Sequence, residues 1–182
     1  MIIENKTIDG RKIKWILRSP VQSDGNQLSE VRLKIDGETE NLDREYGEAY
    51  MSPEDFEKLI YTDSIAEKSI FLVAEVEDKI VGFARCVGNK LRRFEHKADF
   101  GICILEDYWG YGIGSTILEN ILAWADEVGI EKISLTVIET NNKAIDLYKK
   151  YGFVEEGRLV KDRRHRDGNY YNTVIMGRLK CF

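Results

Sequence analysis

The chain has 182 residues, of which 43% are hydrophobic and 32% charged, with a formal net charge of -5 and a pI near 5.3. This length fits a single domain, residues 1–182, and the hydrophobic content suffices for a packed core, which excludes a disordered tail. The acidic balance argues against nucleic-acid binding, no run of about 18 apolar residues predicts a membrane span, and no signal-peptide pattern opens the chain, so the sequence indicates a cytoplasmic protein.

The first third of the chain predicts one strand followed by two helices. Residues 12–19 partly alternate between polar and apolar side chains, which is typical of a strand. The next segment places apolar residues at helical spacing, at Leu28, Val31 and Ile35. A second helix begins after Ser52, because this serine is placed to cap it and the proline that follows suits the first turn.

The remainder of the chain predicts a mixed sheet with two further helices. The hairpins are antiparallel, whereas the strand–helix–strand unit after a glycine-rich turn requires a parallel pair of strands. The predicted class is therefore α/β with a mixed sheet, in the order β-α-α-β-β-β-α-β-α-β-β. The later strands are predicted at 69–76, 80–87, 98–105, 132–139, 153–160 and 169–179, and the later helices at 117–125 and 141–151.

The cysteines give no sign of a disulfide framework or a metal site. There are three of them, Cys86, Cys103 and Cys181, and no two form a CxxC pair. Cys86 and Cys103 lie in apolar, strand-like runs, which predicts buried, reduced thiols and no metal.

The stretch EDYWGYGIGS places glycines at every second position, at Gly110, Gly112 and Gly114, between a predicted strand and a predicted helix. Glycine permits unusual backbone angles, and the N-terminus of a helix carries free N–H groups and a partial positive charge, so the turn suits a pyrophosphate. The alternative is a tight turn without a ligand. The stretch lacks the lysine of a phosphate-binding P-loop and fits the dinucleotide-binding fingerprint badly.

Two motifs in succession resemble those of the GNAT superfamily of N-acetyltransferases. YWGYGIGSTILENILAWA is similar to the acyl-CoA-binding motif, Arg/Gln-x-x-Gly-x-Gly/Ala, although Trp109 stands where the family usually has Arg or Gln. The next strand and helix carry the second signature. The resemblance runs from about Ser69 to the end, and the stretch before Ser69 matches only in the order of its elements. It implies a single-domain acyl-CoA N-acyltransferase fold. The matching residues of the second signature are Val137, Asn141, Ala144, Leu147, Tyr148, Gly152 and Phe153.

The resemblance implies that the chain uses acetyl-CoA as a cosubstrate. In the family the turn wraps the pyrophosphate, and two strands splay apart before it so that the pantetheine arm fits between them. The cofactor-binding residues that the resemblance implies are Ile102, Cys103, Ile104, Trp109, Gly110, Tyr111, Gly112, Ile113, Gly114, Ser115, Asn141, Ala144 and Tyr148.

Two of these residues are candidates for catalysis. The resemblance implies that the main-chain N–H of Ile104 polarises the thioester carbonyl and that the Tyr148 hydroxyl protonates the leaving sulfur. A core tyrosine is the structural alternative for Tyr148, and helix capping is the alternative for Asn141. The base stays open, because N-terminal acetyltransferases of the family have a glutamate where Thr136 stands here. The candidates are Glu75, His96, Asp99, Glu139 and a water molecule.

The acceptor is expected to be an amine. Residues 36–57 contain nine Asp or Glu and one Lys or Arg, and in the family this link walls the acceptor site, so an acidic wall favours a polyamine-like or other cationic amine. The alternatives are a solvated acidic surface or a peptidyl amine, and the C-terminal stretch GNYYNTVIM resembles both spermidine and ribosomal-protein acetyltransferases. Family members often form dimers through their C-terminal strands, so the resemblance also implies a homodimer as a partner.

Two other functions compete with the enzyme. One is a non-catalytic acyl-CoA-binding or sensing module of the same fold, which a missing base would favour. The other is a nucleotide-binding domain unrelated to CoA, which would use the glycine turn for a different phosphate.

Overall fold

The computed structural model describes residues 2–10 and 12–180, in which eight strands form one sheet with four α-helices. Short 3-10 turns precede the first helix and the glycine turn. In chain order the elements are β1 (Lys6–Asp9), β2 (Lys14–Arg18), α1 (Gly25–Glu38), α2 (Pro53–Ile65), β3 (Ser69–Val76), β4 (Lys79–Gly88), β5 (Lys97–Ile104), α3 (Ile113–Glu127), β6 (Lys132–Ile138), α4 (Asn142–Lys150), β7 (Val154–Arg164) and β8 (Tyr170–Leu179).

The predicted mixed α/β class and the predicted order of elements are confirmed, with one strand more than expected. The additional strand is β1, whose side chains are mostly exposed and show no apolar alternation. It pairs with β2 across a turn in which the Gly10 N–H donates to the Ile13 carbonyl over 3.0 Å. Ile8 packs against the core, but the other three residues are polar and exposed, so the strand leaves no apolar alternation to detect.

The sheet has the strand order β1-β2-β3-β4-β5-β6-β8-β7. Among these neighbours β5 and β6 are parallel, and the other pairs are antiparallel. The parallel pair is the one that the strand–helix–strand unit required. Helix α3 returns the chain to the end of the sheet at which β5 begins, so that β6 runs in the same direction as β5.

The helices form where the sequence patterns place them. The Ser52 hydroxyl accepts from the Asp55 N–H, and the Asp55 carboxylate accepts from the Ser52 N–H, each over 3.2 Å, so a capping box starts α2. The predicted apolar stripe of α3 is buried against the sheet. It consists of Ile117, Leu118, Ile121, Leu122 and Ala125.

Strands β5 and β6 separate part-way along their length. They pair from Lys97 with Lys132 to Asp99 with Ser134, and the pairing then stops. On its other side β5 stays paired with β4 as far as Ile104. The second half of β5 therefore presents an unpaired backbone edge toward β6, as the resemblance implied.

The described residues also bear on membrane insertion, the cysteines and metal binding. No helix there is both long enough and apolar enough to cross a membrane. Cys86 is buried and Cys103 half-buried, and both thiols are free, while Cys181 lies outside the described residues. Burial raises the pKa of both thiols to about 12, so they stay protonated at neutral pH. Within the same part of the chain no three His, Cys, Asp or Glu side chains gather to hold a metal ion.

Candidate functional site

The glycine turn connects β5 to α3 and has two residues in the left-handed region. Gly110 has a φ of 81° and Gly112 a φ of 89°, a conformation that strains any residue with a Cβ. The space around both residues is open. Among the described atoms, none lies within 4 Å of a Cβ placed at Gly110, and a Cβ at Gly112 would meet only the Ser115 Oγ, at 3.9 Å. Gly114 lies inside α3 with ordinary helical angles, so this position does not need the conformational freedom of glycine. The missing side chain instead lets neighbouring elements pack closely against the helix.

The N-terminus of α3 has backbone donors available for an anion. The first helical bond runs from the Thr116 N–H to the Gly112 carbonyl over 3.1 Å, which leaves the N–H groups of residues 113–115 without a partner in the described chain. No side chain caps them, since the Ser115 hydroxyl donates to the Gly112 carbonyl over 2.8 Å. Free donors, the helix dipole and an open glycine backbone fit a pyrophosphate.

The unpaired edge of β5 has a defined set of backbone groups. The Leu105 N–H donates to Val81 of β4 over 2.9 Å, while the His96 carbonyl accepts from residues at the start of β6. Because strand residues alternate, Ile102 and Ile104 direct their N–H and carbonyl groups into the gap. Cys103 directs its backbone toward β4 instead, which differs from the expectation that all three residues serve the pantetheine arm.

Three elements meet beside this gap. A Cβ at Gly114 would lie 3.5 Å from the Ile104 side chain, 3.8 Å from that of Leu147 and 4.0 Å from that of Ile102. The start of α3, the end of β5 and α4 are therefore in contact. Tyr148 is the next residue of α4, and its ring packs against Phe100 of β5, so it lies beside the same strand as Ile104.

Tyr148 has the surroundings of a buried phenol. Its ring packs against Phe100 of β5 and Phe153, with centroids 6.3 and 5.7 Å apart. Burial raises the pKa of its hydroxyl to about 12, and that hydroxyl has no hydrogen-bond partner in the described chain. An unbonded, protonated hydroxyl next to an open strand edge can act as a proton donor. Asn141 caps α4 by accepting from the Ala144 N–H over 3.2 Å, which confirms its capping role.

Trp109 links the turn to the strand edge. Its indole Nε1–H donates to the Ile104 carbonyl over 2.8 Å, while the ring remains 38% exposed. This bond fixes the peptide that follows Ile104 and so helps to orient the end of β5. The sequence alone gave no sign of it.

We expect Trp109→Phe to lower kcat about fivefold, because the variant keeps an aromatic ring but loses one hydrogen bond of roughly 1 kcal/mol that orients Ile104. The matched control is Trp124→Phe at the other end of α3, where the buried Nε1 has no partner among the described residues. Steady-state kinetics of both variants test this, and equal kcat values for Trp109→Phe and the wild type would show that the bond does not position the strand.

The sequence-derived base candidates are either far from Ile104 or held by other groups. His96 and Asp99 lie toward the opposite end of β5, roughly 25 and 16 Å from Ile104 along the strand. Glu75 is held by Arg18 at 2.6 Å. Glu139 accepts from the Asn172 backbone N–H and from Arg158, and these contacts, the first above all, hold its pKa below the usual value. The structure therefore favours water among the candidates.

A cleft of about 280 Å³ lies between the link that follows α1 and the β7–β8 hairpin. The expected acidic wall is present, but basic residues of the hairpin and of the link pair with it. The basic run KDRRHRDG was the sequence signal for this pairing, and the sequence alone did not show which segment it faces. The pairs are Arg163–Asp43 at 2.5 Å, His165–Glu40 at 3.1 Å, Arg166–Glu45 at 3.6 Å and Arg44–Asp36 at 2.9 Å.

Comparison with known protein families identifies the family of this chain. The model of the acetyltransferase (GNAT) family matches residues 38–153. The chain belongs to the GNAT family. The match begins well before Ser69, where the recognisable motifs start, so the family resemblance also covers the end of α1 and all of α2.

Named relatives and solved structures agree with the GNAT assignment. The L-amino acid N-acetyltransferase AaaT of Escherichia coli is 34% identical over 60% of this chain and 67% of its own length. The spermidine N(1)-acetyltransferase of Vibrio cholerae is 29% identical over 64% and 68%. A GNAT-family acetyltransferase structure from Streptococcus pneumoniae superposes with a TM-score of 0.87 at 28% identity, over 91% of this chain and 99% of that one.

As a GNAT protein the chain is an enzyme, an acetyl-CoA-dependent N-acetyltransferase that moves an acetyl group to an amine. This confirms the family resemblance and sets aside a nucleotide-binding domain unrelated to CoA. The donors at the start of α3 and the open edge of β5 are the features of this chain that fit acetyl-CoA.

Proposed function

We propose that the backbone from Trp109 to Ser115 binds the pyrophosphate of acetyl-CoA and that the gap between β5 and β6 holds its pantetheine arm. One observation carries the proposal: the free N-terminus of α3, the unpaired edge at Ile104 and the Tyr148 hydroxyl lie in adjoining elements. The N–H groups of residues 113–115 and the backbone of Ile102 supply hydrogen bonds to the cosubstrate. Tyr111, Asn141 and Ala144 complete the proposed contact set, whereas Cys103 is left out because its backbone groups face β4.

Two residues take catalytic roles in this proposal. The Ile104 N–H donates to the thioester oxygen and stabilises the negative charge that forms there when the amine nitrogen bonds to the carbonyl carbon. As the carbon–sulfur bond breaks, the Tyr148 hydroxyl gives its proton to the sulfur and later regains one from solvent. The proton lost by the amine passes to water, since the carboxylate and histidine candidates are distant or paired.

The acceptor is proposed to be a primary amine of a small molecule or peptide that reaches Ile104 through the 280 Å³ cleft. The acidic segment suggested a polyamine-like or other cationic amine. Because its carboxylates are paired with arginines, the cleft carries both signs of charge. It therefore gives little electrostatic preference for a polyamine. The relatives named for amino acids and for spermidine make both classes necessary members of a test panel.

Thiol release from acetyl-CoA tests the proposal, with spermidine, L-amino acids, aminoglycosides and short peptides assayed in parallel. We expect release that depends on one amine class. Measurable acetyl-CoA binding without release for any amine of the panel would contradict the proposed acceptor classes.

The pH dependence of the reaction tests the assignment of the base. If water takes the proton, kcat/KM should rise tenfold per pH unit until the pKa of the acceptor amine is reached, because only the neutral amine attacks. The Tyr148 pKa of about 12 predicts no loss of the proton donor below about pH 11. Rate profiles for two acceptors of different amine pKa should shift with the amine, and an identical inflection for both would point to a protein base.

A further inference from the structure

Two arginines lie near one aspartate of α1: Arg32 on the same helix, and Arg44 in the link that follows it. Arg44 binds Asp36 through two parallel contacts, Nε to Oδ2 at 3.1 Å and Nη2 to Oδ1 at 2.9 Å, and the Asp36 side chain is only 3% exposed. A fork-to-fork pair of this kind uses the carboxylate fully. The second arginine, Arg32, comes no closer to Asp36 than 4.0 Å, through its Nε.

Arg32 is therefore a largely buried charge whose contact with a carboxylate is long. Its side chain is 11% exposed, and none of its guanidinium N–H groups donates a hydrogen bond to another described residue. Burial first, and then the charge of Arg44, lower the pKa of Arg32. Burial is also the largest effect on Arg44, but its hydrogen bonds to Asp36 and the negative charge of that carboxylate together raise the pKa of Arg44. The three side chains together carry one net positive charge that lacks a partner.

This charge lies on the acceptor side of the reaction centre. Asp36, Arg32 and Arg44 are close enough to Cys103 to affect the pKa of its thiol, and Ile104 is the next residue of β5. Arg44 also lines the 280 Å³ cleft, and Arg32 borders a recess of about 10 Å³ beside Tyr50, large enough for roughly one water molecule. Among the other arginines at the cleft, Arg163 and Arg166 face carboxylates and Arg164 lies over the Tyr170 ring, so Arg32 stays available for a ligand.

We propose that Arg32, next to the Arg44–Asp36 pair, binds a carboxylate of the acceptor, so that the acceptor is an amine that also carries a carboxylate, as an α-amino acid does. A guanidinium matches a carboxylate in charge and in planar geometry. A purely cationic acceptor such as a polyamine would instead add like charge beside Arg32. The inference rests on the proposed function, because the amine must lie at Ile104 for its carboxylate to reach Arg32.

Binding of reaction products tests this subsite without turnover. The enzyme, saturated with CoA, is titrated in a calorimeter with N-acetylglycine and the N-acetyl derivatives of alanine, leucine, methionine and phenylalanine, and with the corresponding amides. We expect at least one acid to bind about tenfold or more tightly than its amide, as the loss of a charged hydrogen bond predicts. Equal binding of acid and amide, or no binding of any acid at millimolar concentration, would overturn the subsite.

Variants assign the preference to Arg32. Arg32→Met should remove the preference for the acid without weakening the amide, and Arg32→Lys should keep part of it. The matched control is Lys34→Met on the same helix, which removes an equal charge from a side chain that is 56% exposed and pairs with Glu38. Circular dichroism shows whether each variant is folded. If Arg32→Met retains the preference, the assignment is wrong.

Failure of this inference is distinguishable from failure of the proposed function. Release of thiol with spermidine, together with no preference for acids over amides, would leave the transferase site standing and remove the carboxylate subsite. Acid preference without thiol release for any amine would do the opposite.

Discussion

Tyr148→Phe is expected to lower kcat about a hundredfold and to leave the affinity for acetyl-CoA unchanged. The variant removes only the hydroxyl, and loss of a general acid costs roughly a hundredfold or more. The ring would keep its contacts with Phe100 and Phe153, so the fold should be preserved. Pre-steady-state and steady-state kinetics, with acetyl-CoA binding measured by calorimetry, check the result.

A neighbouring tyrosine supplies the control. Tyr151 lies at the end of the same helix, and its hydroxyl donates to Glu119 at the protein surface. Tyr151→Phe should leave kcat within about twofold of the wild type, because its hydroxyl takes no part in the proposed reaction. A kcat for Tyr148→Phe equal to that of the wild type would make Tyr148 a core residue only, which is the structural alternative recognised from the sequence.

Gly112→Ala is expected to raise the KM for acetyl-CoA at least about tenfold. A Cβ at a φ of 89° costs roughly 1 kcal/mol and turns the peptide, and the methyl group would project into the open space proposed for the pyrophosphate. Loss of even one hydrogen bond to a phosphate accounts for a tenfold change or more. Titration of acetyl-CoA and thermal unfolding together separate the two effects.

Gly129 supplies a matched control for the Gly112→Ala variant. It follows the other end of α3 with a φ of 75°, and no described atom lies within 4 Å of where its Cβ would be. Gly129→Ala should cause a similar loss of unfolding free energy with no change in the KM for acetyl-CoA. If both variants raise the KM equally, the effect of Gly112→Ala comes from general destabilisation and not from the anion site.

Much of the fold could be predicted because it depends on local patterns. The stripe of α3, the capping box at Ser52 and the need for a crossover between β5 and β6 are all readable within a few residues. β1 could not be predicted, since its mostly polar residues are ordered by backbone pairing with β2. The parallel or antiparallel sense of the strands followed from their connectivity, whereas the position of β8 between β6 and β7 was not predicted.

The candidate site could likewise be predicted only where it depends on local motifs. Gly112, Ile104 and Tyr148 belong to contiguous motifs, so the family pattern indicated them. The pairing of Asp43 with Arg163 joins residues 120 positions apart, and the sequence showed only an acidic run and a basic run. The direction of the Cys103 backbone depends on strand register, which a one-residue shift would reverse.

The claim central to this account is that the start of α3 and the open edge of β5 form one acetyl-CoA site. A crystal structure of the full chain with CoA tests it most directly. We expect pyrophosphate oxygens within about 3.2 Å of the N–H groups of residues 113–115, and the CoA sulfur within about 3.5 Å of the Tyr148 hydroxyl. A CoA molecule bound elsewhere, or one whose sulfur lies away from both Ile104 and Tyr148, would contradict it.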